Sequence, residues 1–382
     1  MNTPGYINVI LAIALTLVIS SASAGPGHSF YPLRPADSAA VYFTPDKFSI
    51  STDGSTDVSD ALQAAIREVK TRYNFGILFI PAGKYLITRT IYIPTAIRLI
   101  GYGKERPVFT LAKNAPGFQA PDSTDKGQGK YMFWFTNSLS DPGQPIYDAG
   151  ASTFYSALSN IDLRIGDGNP AAVALRTHFA QHSFISHVDI YTGSGKAGLF
   201  DVGNEMEDVR FFGGDYGIYT TKPSPGWPFM MVDTWFEGQR RAAIRTREAG
   251  LTIVRMSVRN TPTVIDIDSN YSEKLFMEDC RFDGITAAAI RISDENNAFN
   301  QVNLRHIVCH NTPVLVAYRL SGRQIKSADA LYSVESFTDG LQMKDWNDNP
   351  GYATTQDIRP LSSLPAPVPS DIPVLPAMET WV

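Results

Sequence analysis

MEDVRFFGG, residues 206–214, is one of seven segments that can be laid over one another on a single anchor residue. The others are LSNIDLRIG, ISHVDIYTG, MVDTWFEGQ, IVRMSVRNT, MEDCRFDGI and LRHIVCHNT. Their anchors are Ile161, Val188, Val209, Thr234, Met256, Cys280 and Ile307, spaced by 27, 21, 25, 22, 24 and 27 residues. Three positions before the anchor stand Leu158, Ile185, Met206, Met231, Ile253, Met277 and Leu304. Two positions after it stand Leu163, Ile190, Phe211, Phe236, Val258, Phe282 and Cys309, so both columns are apolar throughout. The residues between, Asp162, Asp189, Arg210, Trp235, Ser257, Arg281 and Val308, are mostly polar. That is the alternation of a strand with one dry and one wet face.

A second series, AAVAL, KAGLF, YGIYT, AAIRT, TVIDI, AAIRI and PVLVA, trails the anchors at the same beat. Columns that hold while unit lengths vary in the turns indicate a repeat that stacks on itself. The expected fold is all-β, a single-stranded right-handed parallel β-helix with rungs about 4.8 Å apart. GILFIPAGKYLITRTIYIP, residues 76–94, fits the same scheme, because each apolar burst is cut by Pro, Gly or a charge where a coil must turn. Just before it, Leu62, Ile66, Val69 and Tyr73 recur at helical spacing behind a candidate cap at Asp57 or Ser59. This helix is expected to cover the open end of the stack, where unpaired strand edges would otherwise be exposed.

The chain has 382 residues, 43% of them hydrophobic, and a net charge of −5, with no basic run able to hold a phosphate backbone. Nucleic acid is therefore excluded as a partner. The apolar run Ile7–Ile19, shorter than the roughly 18 residues of a membrane span, precedes Ala22-Ser23-Ala24. Residues 1–24 read as a signal peptide, so a secreted protein with no membrane association is expected. Residues 25–55 form a leading segment and 56–350 the β-helix. Residues 104–155, rich in Gly, Pro and aromatics, read as a loop insertion, and the Pro-rich 351–382 as a linker or tail.

STDGSTDVSDALQAAI followed by GILFIPAGKYLIT and IRLIGYG resembles the N-terminal signature of the pectate-lyase-like β-helix superfamily. Asp53, Gly54, Thr56, Asp57, Pro81, Gly83 and Tyr85 match it, while Val58 replaces the second acid of the usual pair. MEDVRFFGGDYGIY and FMMVDTWFEGQRRAAI are similar to the first β-helix of the family 55 glycoside hydrolases, exo-acting β-1,3-glucanases of two tandem β-helices. The resemblance implies a polysaccharide substrate or ligand and a possible second β-helix domain beyond the linker. The acid catalyst of that family sits in its second β-helix, so none of its catalytic residues maps onto this sequence. The motifs of polygalacturonases and the calcium-binding aspartates of pectate lyases are absent.

Two polar files are candidates for chemistry. Asn160, His187, Asp208, Asp233, Arg255, Asp279 and His306 precede the anchors. They read either as a catalytic ladder or as corners that need left-handed backbone, which Asn, Asp and His tolerate best. The second file lies on the outward face of the following strand. There Glu237 and Asp283 are the candidate catalytic acids, with Arg210, Trp235, Arg259 and Arg281 as candidate substrate-binding residues. Trp offers a flat apolar face to a sugar ring, and Arg offers forked donors. Two rungs, about 9.6 Å, would separate the acids, near the upper end of the span of an inverting pair. The alternative is a solvated, salt-bridged wall.

His178, His182 and His187 lie at i, i+4 and beyond, a spacing that diverges on a strand, so no metal and no cofactor are expected. Cys280 and Cys309 fall in inward columns two positions out of register, which favours free thiols over a disulfide. The resulting expectation is a secreted protein hydrolysing polysaccharide or forming half of such an enzyme. A non-catalytic glycan-binding scaffold and a polysaccharide lyase are the alternatives.

Overall fold

The computed structural model describes residues 28–121, 129–141, 143–201, 203–221, 228–343 and 345–370. The expected signal peptide lies outside them. Three parallel stacks of short strands wind around one dry core. The first stack contains Gly76–Pro81, Ile97–Tyr102, Ala157–Ser159, Phe229–Val232, Leu251–Val254 and Lys274–Glu278. The second contains Lys84–Ile87, Val108–Leu111, Asp162–Ile165, Trp235–Glu237, Ser257–Arg259 and Arg281–Asp283. Phe184–Gly193, Glu205–Gly213 and Gln301–His310 run through both stacks and bend where they meet. The third stack is a ten-stranded sheet that includes Lys130–Thr136, Ala172–Arg176, Tyr216–Tyr219, Ala242–Thr246 and Ala288–Ile292.

The stacks send apolar columns inward. Leu78, Leu99, Leu158, Ile185, Met206, Met231, Ile253, Met277 and Leu304 are successive register partners, all buried. In the third stack Ile91, Phe133, Leu175, Leu199, Ile218, Ile244, Ile265, Ile290 and Val316 do the same. A fully buried side chain of this kind contributes roughly 1.5–3 kcal/mol. Stability is thus spread along the axis, coil by coil.

Asn160, His187, Asp208, Asp233, Arg255, Asp279 and His306 form the corner between the first two stacks, with φ between 49° and 57°. Left-handed backbone is what this corner requires, and that explains the polar file.

The helix Ser59–Tyr73 packs Leu62, Ala65, Ile66 and Val69 against the N-terminal opening, whereas Tyr73 is exposed. Asp57 accepts the backbone N–H and hydroxyl of Ser59, although the helix begins after Val58. At the far end Leu331–Gln342 pairs antiparallel with Gln301–His310, and Gly351–Pro360 pairs antiparallel with Leu331–Gln342. Tyr332, Val334 and Phe337 close the core there.

Three boundaries differ from the sequence reading. Val41–Tyr42, in the leading segment, and Asp53–Asp57, which crosses its end, already pair with the first and second stacks. Within 104–155, Val108–Leu111 and Lys130–Thr136 are regular rungs. The beat is hidden there because KYMFWFT is apolar on both faces: Tyr131 and Trp134 point outward yet are covered. Finally, Gly351–Pro360 is a sheet strand rather than a linker. Residues 361–370 then run back along the molecule, where Arg281 Nη2 donates to the Pro365 carbonyl and Ser370 Oγ to Asp233 Oδ2 at 2.9 Å.

Candidate functional site

The second-stack face holds the candidates from the sequence in the expected register. Arg210, Trp235, Ser257 and Arg281 are successive partners, and so are Phe212, Glu237, Arg259 and Asp283. Arg259 therefore stands between the two acids, and its guanidinium lies 4.6 Å from the Trp235 ring centroid. The Trp235 indole N–H donates to Glu237 Oε2 at 3.2 Å, and Asp283 Oδ1 lies 2.8 Å from His310 Nδ1. Two of the six residues are committed elsewhere. Arg210 makes a forked pair with buried Asp189 at 2.6 and 2.7 Å, and Arg281 is engaged by the C-terminal segment.

The third-stack face carries a richer column. Tyr92, Trp134, Arg176, Phe200, Tyr219, Arg245, Asp266 and Arg291 are successive register partners pointing outward. Aromatic rings occupy the N-terminal coils, and charged groups the C-terminal ones. Arg176 is the exception, a cation set among the aromatic rungs, with its guanidinium 4.8 Å from the Tyr131 ring, 4.9 Å from Trp134 and 5.1 Å from Phe200.

Beside Arg176 lies a compact group of acids. Arg176 Nε and Nη2 donate to the two oxygens of Asp148 at 2.9 and 2.7 Å, and the Trp134 indole N–H donates to Asp148 Oδ1 at 2.7 Å. His178 Nδ1 is 3.9 Å from Asp148 Oδ2. Asp148, His178 and Asp201 each bring one donor atom within 4.8 Å of the others, the one such group found among the described residues. These are the residues that could hold a cation, but Arg176 competes for both oxygens of Asp148. Burial pushes the Asp201 carboxyl above the ordinary range, and Asp148 adds to this against the Thr221 hydroxyl, Arg176 and His178. Thr221 Oγ1 donates to Asp201 Oδ1 at 2.7 Å and fixes its orientation. Two neighbouring carboxyls thus differ in setting: one is paired with a forked cation, the other is dry and inclined to keep its proton. That division suits acid–base work.

The sequence reading missed this face. Its outward column was available in the second repeat series, one position past the inward Leu175, Leu199, Ile218, Ile244, Ile265 and Ile290. Asp148 and His178 lie between strands at no repeating position, so no periodicity could mark them.

A family model described as "Rhamnogalacturonase A/epimerase, pectate lyase-like" matches residues 45–290. The chain belongs to this family. No curated protein matches this pectate-lyase-like chain. Among solved structures it is similar to the family GH82 iota-carrageenase of A. fortis at 13% identity, covering 75% of this chain and 59% of that one, TM-score 0.42. The tailspike of Acinetobacter phage vB_ApiP_P1 gives 13% identity over 75% of this chain and 56% of that one, TM-score 0.47. The mannuronan C-5 epimerase AlgE4 A-module of Azotobacter vinelandii gives 11% identity over 74% and 92%, TM-score 0.35. The pectate-lyase-like chain thus spans under two thirds of the first two. Likeness at this level carries no inference about substrate.

Proposed function

We propose that this pectate-lyase-like protein is a secreted glycoside hydrolase that lays a polysaccharide along the third-stack face. The observation that carries the reading is the Asp148–Asp201 pair, held apart in character by Arg176 on one side and burial on the other. Asp201 gives its proton to the bridging oxygen as the glycosidic bond breaks, the Asp148 carboxylate bonds to the anomeric carbon in its place, and water then hydrolyses this glycosyl ester and returns a proton to Asp201. Their nearest approach, inside 4.8 Å, is closer to the ~5–5.5 Å of a retaining pair than to the ~6.5–9.5 Å of an inverting one. Family membership supports a glycan substrate. The finer likeness to family 55 hydrolases, and a second β-helix domain beyond the Pro-rich segment 351–382, belong to the same proposal and rest on the motifs alone.

A second reading places hydrolysis at Glu237 and Asp283. It is favoured by the contacts of Glu237 with Trp235 and of Asp283 with His310. Reducing-sugar release from a panel of glucan, pectin, xylan and sulfated galactan separates the two. If the third-stack reading holds, Asp201→Asn loses activity by 10²-fold or more, a typical worth of general acid catalysis, while Glu237→Gln and Asp283→Asn keep it. The opposite pattern moves the site to the second stack. Activity retained in all three variants ends both readings.

A further inference from the structure

The two ends of the β-helix are finished differently. At the N-terminal end the helix Ser59–Tyr73 lies over the opening, whereas at the C-terminal end the last rung is the strand Gly351–Pro360, exposed along most of its length. Its one strand neighbour among the described residues is Leu331–Gln342, so its far edge is open. An open edge is a template for another strand unless Lys, Pro, a bulge or a covering segment blunts it. From Gly351 to Ile358 there is no Lys and no Pro, and the first charge is Asp357. The register shift in this strand pair falls between Val334 and Ser336, on the inner strand, and leaves the outer one regular.

Bonds already made fix which backbone groups face that edge. The Leu361 N–H donates to the Leu331 carbonyl at 3.1 Å, and Gln342 Nε2 donates to the Ala353 carbonyl at 2.8 Å, so odd-numbered residues turn their polar groups toward Leu331–Gln342. Alternation then directs those of Tyr352, Thr354, Gln356 and Ile358 at the open edge. Pro360, next in the series, has no N–H to offer and ends it. These four residues are symmetrical about Thr355. An antiparallel copy of the strand centred on Thr355 therefore meets every one of them, with about eight hydrogen bonds.

The side chains agree with this register. Tyr352 falls opposite Ile358 of the second copy, Thr355 opposite Thr355, Asp357 opposite Ala353 and Arg359 opposite Gly351, so no like charges meet. Centring on Asp357 would set two carboxylates face to face, and centring on Gln356 would spend Tyr352 on Pro360. Ile358 is a partly buried residue packed on the rim of the core, and Tyr352 and its register partner Leu341 are both exposed. Met343 and Trp346 add exposed apolar surface at the same end, Trp346 being 96% exposed. We infer that the chain forms a two-fold, end-to-end dimer in which Gly351–Pro360 pairs antiparallel with the same strand of a second copy and carries the sheet from one β-helix into the next. A two-fold contact consumes the edge on both copies, so assembly closes at two.

Analytical ultracentrifugation of the full chain over a range of concentrations tests this. The native chain is expected to sediment with twice the mass of one copy. Gln356→Pro removes an outward N–H and none of the bonds to Leu331–Gln342, and is expected to raise the dimer dissociation constant at least tenfold with the far-ultraviolet circular dichroism unchanged. Thr355→Lys and Thr355→Asp each set like charges across the two-fold axis, so each alone is expected to be monomeric, while an equal mixture of the two restores the dimer. That rescue reads the register directly and does not depend on how the proline variant folds. A native chain that is monomeric throughout, a dimer indifferent to all three substitutions, or a mixture that stays monomeric overturns the inference. So does a monomer in which the amides of Tyr352, Thr354, Gln356 and Ile358 resist hydrogen exchange, because another part of the chain then covers the edge.

Discussion

Arg106 Nη1 lies 3.2 Å from Asp189 Oδ1, a residue 83 positions later in the chain, and 3.2 Å from Asp162 Oδ1 on the strand between them. Its Nη2 reaches Asp208 at 3.5 Å. All three carboxylates sit on successive coils near one corner, and Arg106 itself is 5% exposed. One cation thus fastens several coils in addition to their rung hydrogen bonds.

Replacing Arg106 with Met removes the cation beside buried Asp162, while Asp189 keeps its forked pair with Arg210. Breaking a buried ion pair from one side costs about 3–5 kcal/mol. Urea unfolding of Arg106→Met should show a loss of this size. A loss below about 1 kcal/mol, the range of an exposed pair, would mean that Arg106 does not hold the coils together.

The same cluster makes stability depend on pH. Burial, followed by the charge of Asp189, pushes the Asp162 carboxyl from 3.8 to about 6, against the pull of Arg106. The folded state therefore binds this proton more tightly than the unfolded chain does. The contribution is fully present below pH 3.8 and is lost as pH rises through about 6. Asp162→Asn, which cannot titrate, should flatten the urea midpoint across that window relative to the native chain. An identical slope in both would remove Asp162 as its source.

The corner ladder predicts an asymmetry among substitutions. Asp279 has φ 56°, a conformation that glycine adopts freely and a β-branched residue resists. Relative to Asp279→Asn, Asp279→Gly should change stability little, and Asp279→Val should cost roughly 1–2 kcal/mol. Comparable denaturation midpoints for Gly and Val would contradict the conformational explanation.

Cys280 and Cys309 are buried free thiols, and burial pushes both up to about 12. Since the thiolate is the reactive form, neither should be labelled by a thiol reagent at mildly alkaline pH in the folded protein. Both should react once denaturant is added. Rapid labelling of the native chain would place at least one of them outside the core.

Much of the fold was legible because a coil repeats its physics. Leu158, Ile185 and Met206 are apolar for one reason, and Asn160, His187 and Asp208 are left-handed for another. Repetition turns each reason into a column. The strand at Lys130–Thr136 escaped because its outward Tyr131 and Trp134 are covered, which erased the alternation. The strand at Gly351–Pro360 escaped because it pairs antiparallel with Leu331–Gln342, outside the parallel beat.

The sequence by itself determined the coil, its inward columns, its corners and the register that aligns Glu237, Arg259 and Asp283, because all of these depend on contacts repeated about every 24 residues. Only the tertiary structure decided which groups outside the repeat come together. Asp148, His178 and Asp201 converge from connecting turns and a strand end, and Arg106 meets Asp189 across 83 residues. Such meetings are set by where each turn leaves the core, a geometric outcome of the whole stack that no local spacing encodes.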